Sequence, residues 1–338
     1  MGAAFARQGR ACDALGSPFM ARLMPLCWRI VATGEGPVAA RLLAWQGDVS
    51  HSGHSVPLRL AGALHALVLT RADAGLMAAY PPHEVSDAVL QSAVAGALRT
   101  HAARILRWLD HAPQTNEVAR SAALLAGAAW VQQKTGQPLV LSELGASAGL
   151  NLHFDAYYLA GGIGNRASTV TLTPDWDGPM PPAGQIRVVD RAGVDLNPLD
   201  PSDPDQALRL LAYLWPDQPQ RADLTRAAIA IARTRPDQGD AAEWLETRLA
   251  TTRPGAVHLV YHTIAWQYFP PDTAERAHAA LAMAGARATG DAPLAHLAME
   301  ADGSGDGAAL RVRVWPTGAE SLLARVDFHG RWIRWLAD

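Results

Sequence analysis

Apolar residues recur at helical spacing through the first part of the chain, and short apolar runs replace that spacing after residue 137. The helical spacing is clear over residues 19–24 and 58–69. Ser17 followed by Pro18 is typical of an N-cap with proline in the first helical turn. A later helix is expected to begin near residues 115–116 and to end at Gly136. The pattern predicts an all-helical part over residues 1–136.

From residue 137 onward, apolar runs of strand length alternate with helical patterns, which is typical of a parallel α/β sheet. The predicted strands of this alternating part are 139–144, 186–189 and 257–262. The predicted helices are 150–159, 205–215, 221–232, 241–250 and 273–286. Strands at 294–299, 310–315, 322–328 and 332–336 are expected to form an antiparallel finish. The Pro/Gly-rich residues 175–184 are expected to be an exposed loop.

The predicted fold class is therefore α/β. We expect a Rossmann-like sheet of the methyltransferase type over residues 137–338, parallel with an antiparallel C-terminal edge. The helical residues 1–136 are expected to form a cap domain on it. A chain of 338 residues is long enough for two domains of this kind.

Composition narrows the function classes. The net charge is −3 and no segment concentrates arginine among aromatic residues, so nucleic acid is not an expected partner. No apolar run reaches the length of a membrane span, and the N-terminal residues lack the apolar core of a secretion signal. Cys12 and Cys27 are too few for a disulfide framework, so a cytoplasmic location is expected. His51 and His54 lie in a Gly/Ser loop without further ligand types, so no metal is expected.

The residues around the first predicted strand carry the main chemical signal. Glu143 ends an apolar run, and Gly145, Ser147 and Gly149 form a turn of small residues before the next predicted helix. Read as an acid followed by a glycine turn, this segment is similar to the first motif of S-adenosylmethionine-dependent methyltransferases. Read as Gly-x-Ser-x-Gly, it also satisfies the nucleophile-elbow pattern of α/β-hydrolases, with Ser147 as nucleophile.

The hydrolase interpretation lacks its other parts. An oxyanion-hole segment and several strands should precede the nucleophile, whereas the residues before Ser147 have helical patterns. A serine esterase is therefore the less favoured interpretation.

The cofactor interpretation requires acids after the next two strands. Asp190 and Asp195 are the candidates for the ribose hydroxyls, and Asp195 is preferred although it lies 46 positions after Gly149. Asp240, followed by Ala241, matches a third motif in which a carboxylate accepts the adenine amino group.

Three further residues are candidates for positioning or deprotonating the methyl acceptor. His262 ends the predicted strand 257–262 and is expected to deprotonate or position the acceptor. Tyr261 is expected nearby, and Glu117 is expected to reach the same pocket from the helical part.

Several segments together resemble the bacterial domain-of-unknown-function family 2332 (DUF2332) over nearly the whole chain. These segments are 113–118, 143–152, 193–198, 214–216, 261–263 and 328–332. The resemblance implies a bacterial protein with a methyltransferase-like α/β core and no assigned reaction.

The favoured hypothesis is methyl transfer from S-adenosylmethionine to a small molecule. The alternatives are a non-catalytic binding protein of the same fold and, less favoured, an esterase that uses Ser147. The methyl acceptor and the oligomeric state are not encoded in any pattern that we recognise.

Overall fold

The computed structural model describes residues 1–304 and 306–338. The chain divides into two compact units, Met1–Thr115 with Asp203–Asp223 and Asn116–Ser202 with Leu224–Asp338. The predicted boundary at residue 136 differs from this division because the helix before the first strand belongs with the sheet. That the first unit caps the sheet stays a prediction.

The α-helices of the described residues are numbered in chain order. They are α1 (Gly2–Ala14), α2 (Pro18–Val31), α3 (Gly36–Leu43), α4 (Val56–Leu69), α5 (Ala74–Ala79), α6 (Asp87–Thr100), α7 (Ala102–Leu109), α8 (Ser121–Thr135), α9 (Pro204–Ala212), α10 (Pro219–Ile231), α11 (Ala241–Arg248) and α12 (Pro271–Arg287). No helix among the described residues combines the length and the apolar character that crossing a membrane requires.

The β-strands of the described residues all belong to the second unit. They are β1 (Leu139–Leu144), β2 (Tyr158–Leu159), β3 (Ile163–Gly164), β4 (Thr171–Leu172), β5 (Asp175–Asp177), β6 (Val188–Asp195), β7 (Asp237–Gln238), β8 (Val257–Thr263), β9 (Leu294–Glu300), β10 (Ala308–Trp315), β11 (Ala319–Val326) and β12 (Trp332–Trp335).

A nine-stranded sheet in the order β5-β12-β11-β10-β9-β8-β1-β6-β7 dominates the second unit, and β2, β3 and β4 form a small separate sheet. The strands from β9 to β7 run parallel, whereas β10 and β11 pair antiparallel with their neighbours. This is an α/β fold with a large, mostly parallel central sheet, as the sequence predicts at that level.

The helical unit has its own hydrophobic core, built by α1 to α7 and α9. The predicted N-cap is confirmed: Ser17 Oγ accepts a hydrogen bond of 3.2 Å from the N–H of Met20, and Pro18 begins α2. Tyr213 packs so closely on α4 that a Cβ at Gly62 would lie 2.5 Å from its ring. Residues 203–223 therefore belong to this unit although they follow β6 in the chain.

In the second unit, α8 lies directly on the sheet. A Cβ at Gly127 would lie 2.8 Å from the side chain of Leu297 on β9, so only a glycine permits this approach. Gly136 ends α8 with φ of 72°, as predicted.

Four predicted elements are wrong in detail. The second parallel strand is Val188–Asp195 and not 186–189, because it continues beside β1 as far as Leu144. The helix expected at 150–159 is a 3-10 segment, Leu150–Ala156, with non-helical dihedral angles at His153. Part of the loop expected at 175–184 is β5, which pairs with β12. Strand β9 runs parallel to β8, so the antiparallel edge begins at β10.

Candidate functional site

The turn after β1 is held tightly against the end of β6. Gly145, Ser147 and Gly149 have φ of 69°, 54° and 71°, in the left-handed region. The N–H groups of Gly145 and Ala146 both donate to the carbonyl of Val194, at 2.9 and 3.0 Å. Glycine adopts such angles without strain, whereas Ser147 adopts them at a cost.

Asp195 ends β6 and binds this turn directly. Its Oδ2 accepts a hydrogen bond of 2.8 Å from the N–H of Ser147, and its Oδ1 accepts one of 2.9 Å from the N–H of Asn197. Asp190 lies near the start of the same strand, in register with Val140, and its carboxylate pairs with Arg248 at 2.7 Å. Of the two predicted ribose acids, the structure brings only Asp195 to the turn.

Two buried polar atoms beside the turn have no hydrogen-bond partner among the described residues. They are Oε2 of Glu143 and Oγ of Ser147. Glu143 is 2% exposed. Burial, together with the nearby Asp195 carboxylate, raises the pKa of Glu143 well above its usual range. The pocket around Glu143 therefore favours a neutral carboxyl group unless a donor is supplied.

The segment before α8 contacts the residues that follow the turn. Asn116 Oδ1 accepts a hydrogen bond of 2.9 Å from the N–H of Leu150, and Asn151 Nδ2 donates to the carbonyl of Glu117 at 3.4 Å. Tyr261 Oη donates to the carbonyl of Asn151 at 3.2 Å. The predicted residues Glu117 and Tyr261 are thus brought together by Asn151. Asn151 is not among the predicted site residues, although it lies inside the first motif.

His262 lies on the opposite face of the sheet from Tyr261, because successive side chains of a strand alternate. Its Nδ1 is 2.7 Å from Oε1 of Glu300, and its Nε2 is 3.0 Å from Nε2 of His296. Burial, and then the neighbouring His262, lower the pKa of His296 well below its usual range, so His296 is neutral. Nδ1–H of His262 therefore donates to the carboxylate of Glu300, and one of the two Nε2 atoms donates to the other.

The predicted third motif lies at the same sheet edge as Asp195. The N–H of Gly239 donates to the carbonyl of Asp195 at 3.0 Å. Asp240 caps α11 through the N–H groups of Ala242 and Glu243, at 2.9 and 3.1 Å, and its Oδ2 accepts from Thr273 at 2.7 Å.

Burial opposes the ionisation of Asp240, yet the hydrogen bonds from Thr273 and from the backbone outweigh it and lower the pKa of Asp240. Ala241, the first residue of α11, is 7% exposed. The third-motif carboxylate is therefore ionised and anchored.

The segment after β11 lies against the residues that precede α8, which also contact the end of β8. Arg120 donates to the carbonyl of Phe328 at 2.8 Å and to the carbonyl of Thr263, at the end of β8, at 3.2 Å. A Cβ at Gly330 would lie 2.6 Å from the backbone of Ala119. Segments that are distant in sequence and share the family resemblance therefore meet where the parallel strands end.

The described residues contain no group of three or more His, Cys, Asp and Glu side chains arranged as metal ligands. For an organic cofactor, the turn offers acceptors more than donors. Its N–H groups at Gly145, Ala146 and Ser147 already bind Val194 and Asp195. The acceptors Glu143 Oε2 and Ser147 Oγ are without partners among those residues. Such a set fits a cationic or hydrogen-bond-donating group.

Comparison with known proteins identifies a family. The profile of a family described as "Uncharacterized protein conserved in bacteria (DUF2332)" matches residues 2–335. No curated protein and no solved structure matches the chain. The matched range includes both units and every segment that meets at the turn.

Proposed function

This chain belongs to the bacterial family DUF2332, and from that premise we propose that it is a cytoplasmic, S-adenosylmethionine-dependent methyltransferase acting on a small molecule. Its two cysteines are both free thiols, which suits a reducing compartment. The proposal is argued from the order of the strands and from the acids that follow them.

The observation that carries the proposal is the order of the parallel strands. After β1 the chain forms β6 and β7 on one side, and then β8 and β9 on the other side. This is the order 3-2-1-4-5 of a dinucleotide-type sheet, in which ligands bind where the direction of winding reverses, at the carboxyl ends of the strands. The antiparallel β10 beside β9 supports the methyltransferase type, whose sheets resemble this one in ending with an antiparallel hairpin.

We assign Asp195 and Asp240 to the nucleoside part of the cofactor. Both carboxylates follow neighbouring parallel strands, and Asp195 lies beside the turn that a ribose would approach. An ionised carboxylate accepts up to about four hydrogen bonds, so Asp240 can accept from an adenine amino group besides its three protein donors.

We assign the methionine part to the turn itself, where Gly145 and Gly149 leave the backbone without side chains. Glu143 Oε2 and Ser147 Oγ are buried acceptors that lack donors among the described residues, and the ammonium of the cofactor is a donor of the required kind. The cofactor would supply a methyl group on a sulfonium. The protein would hold the donor and the acceptor in line and exclude water, which accounts for much of such a rate enhancement.

A non-catalytic binding protein of the same fold is the second candidate, and the environment of His262 favours it. Both ring nitrogens of His262 are hydrogen-bonded, to Glu300 and to His296, and the side chain is 2% exposed. We therefore assign no proton transfer to His262. Tyr261 and Glu117 remain the candidates that would position an acceptor.

An esterase that uses Ser147 has little support. Ser147 Oγ has no hydrogen-bond partner among the described residues, so no histidine activates it. In addition, β1 is the first strand of the sheet, whereas an α/β-hydrolase has strands before its nucleophile.

The decisive experiment is calorimetric titration of the full chain with S-adenosylmethionine and with S-adenosylhomocysteine. We expect both to bind, and we expect Asp240→Ser to weaken binding about tenfold or more, because serine keeps the helix cap but loses the charged acceptor. Asp272→Ser is the matched control, since Asp272 lies in the first turn of α12. If neither compound binds at millimolar concentration, the cofactor assignment is wrong.

A further inference from the structure

The segment from Ile264 to Tyr268, which follows β8, covers the glycine turn. A Cβ added to Gly145 would lie 2.6 Å from the Cβ of Ala265, and Ala265 itself is 9% exposed. The space that a side chain at Gly145 would need is therefore filled by Ala265. We call residues 264–268 the cover.

The cover begins with a strained residue. Ile264 has φ of 52°, in the left-handed region, where a β-branched side chain is unfavourable. Its N–H donates to the carbonyl of Met299 at 2.8 Å. Such a conformation persists only where neighbouring contacts impose it, and it is common at clamps and switches.

One carboxylate oxygen supplies those contacts. Oε1 of Glu300, the last residue of β9, accepts hydrogen bonds from the N–H groups of Ala265 and Trp266, at 2.8 and 3.0 Å. The same oxygen is 2.7 Å from Nδ1 of His262. His262, the cover and β9 are thus joined at a single atom. Burial opposes the ionisation of Glu300, but these donors outweigh it and lower the pKa of Glu300.

Ring packing also holds Trp266 of the cover in place. The indole of Trp266 lies 4.9 Å from the ring of His262 and 4.4 Å from that of His278 on α12, measured between centroids. The first half of the cover is therefore bound by Glu300, whereas Tyr268 at its end is 62% exposed.

We infer that Glu300 is a positioning residue that latches the cover over the glycine turn, and that a ligand reaches Gly145 when this latch opens. The second clause rests on the proposed function. The first concerns the ligand-free protein alone. His262 takes part in this latch, which gives it a role other than the proton transfer expected from the sequence.

Amide hydrogen exchange of the full chain, without ligand, tests the latch. Because one oxygen binds both N–H groups, the amides of Ala265 and Trp266 should open together, with protection factors that agree within about threefold. Glu300→Gln should speed both by about tenfold or more, since it removes a charged acceptor. The amide of Leu141 in β1 should be unchanged in that variant. Glu275→Gln, in the first half of α12, is the matched control and should change neither cover amide.

The latch is refuted if Glu300→Gln leaves the two cover amides unchanged, or if it speeds the amides of β1 equally. Should this variant not fold, the native protein still decides, because protection factors that differ by more than about tenfold would also refute a shared latch.

Stopped-flow binding of S-adenosylhomocysteine tests the second clause. Glu300→Gln should bind it faster than the native protein, and an equal association rate would refute gating. If the compound binds neither protein while the exchange rates behave as expected, the proposed cofactor is wrong and the latch stands.

Discussion

The N–H of Ser147 donates a hydrogen bond of 2.8 Å to Oδ2 of Asp195, which ties the turn after β1 to the carboxyl end of β6. Ser147 is 6% exposed, so solvent cannot replace this acceptor freely. Asp195 therefore has a structural part in the site, whichever ligand the site binds.

We expect Asp195→Ala to lower the free energy of unfolding by about 1–3 kcal/mol, because it leaves a buried N–H without an acceptor. Urea denaturation monitored by circular dichroism measures the loss. Asp200→Ala is the control, since Asp200 also accepts the N–H two residues further on but in an exposed turn. A loss no larger in Asp195→Ala than in the control would show that the hydrogen bond from Ser147 to Asp195 does not stabilise the fold.

The clash at Gly145 can be separated from its backbone strain. We expect Gly145→Ala to cost more than the roughly 1–2 kcal/mol of a left-handed alanine, because its Cβ would also meet Ala265. Gly136→Ala isolates the strain alone, since Gly136 has φ of 72° and nothing within 4 Å of a Cβ. Adding Ala265→Gly to Gly145→Ala should recover the difference between these two variants. Thermal unfolding of the native protein, Gly145→Ala, Ala265→Gly and the double variant closes the cycle, with Gly136→Ala measured beside them. Simple additivity would disprove contact between the two positions.

Glu143 should make the protein less stable as the pH rises. The pKa of Glu143 is raised in the folded chain, so between the ordinary value near 4.5 and the raised value only the folded chain holds the proton. Stability is full below the ordinary value and is lost as the pH rises through that window. Glu143→Gln, which resembles the protonated form, should therefore be more stable than the native protein at pH 8, by on the order of 1 kcal/mol.

The free energies of unfolding of the native protein and of Glu143→Gln at pH 5, 6.5 and 8 test this trend. Glu275→Gln, at an exposed position, is the control. A stability difference that is constant over this range would show that Glu143 is ionised throughout. A bound cation would reverse the effect, because it favours the carboxylate.

His258 should make the protein less stable as the pH falls, which is the opposite of the effect of Glu143. The Nε2 of His258 is hydrogen-bonded to Oγ of Ser142 at 2.8 Å, and that oxygen accepts a further hydrogen bond of 3.1 Å from Nε of Arg248. Burial lowers the pKa of His258 to about 3. The unfolded chain takes up this proton near pH 6.5, so the stability that is present above pH 6.5 is lost as the pH falls toward 3.

His258→Gln keeps an acceptor but does not titrate. Between pH 7 and pH 5 we expect it to lose about 2 kcal/mol less stability than the native protein. Urea denaturation at both values provides the measurement, and His83→Gln on the surface of the helical unit is the control. Equal losses in the two variants would contradict a buried neutral His258.

The sequence is sufficient for the elements whose apolar pattern is continuous, and insufficient where pairing decides the outcome. Strand β1 follows from four apolar residues among six, before a turn of small residues, and this pattern predicts it with its observed bounds. The latch of Glu300 and His262 depends on the parallel register of β8 and β9, which no local pattern contains. Alternation along β8, by contrast, is a property of the strand itself, and it suffices to separate Tyr261 and His262 onto opposite faces.

The exposed loop expected at 175–184 is wrong in its first three residues, for a similar reason. Three polar or aromatic residues, Asp175–Asp177, form β5 only because β12 supplies hydrogen-bond partners at the sheet edge. Their own composition has little strand propensity, since aspartate is depleted in strands. Tertiary pairing overrides local preference at this edge.

The pairing of β5 with β12 also has a consequence for synthesis. Asp175 pairs with Trp332, and Trp176 stacks on Trp335 with ring centroids 5.8 Å apart. During translation, β5 leaves the ribosome long before β12, at roughly 5–20 residues per second. The nascent chain must therefore carry an unpaired edge segment with an uncovered tryptophan for many seconds, and this edge of the sheet can close only after β12 has been synthesised.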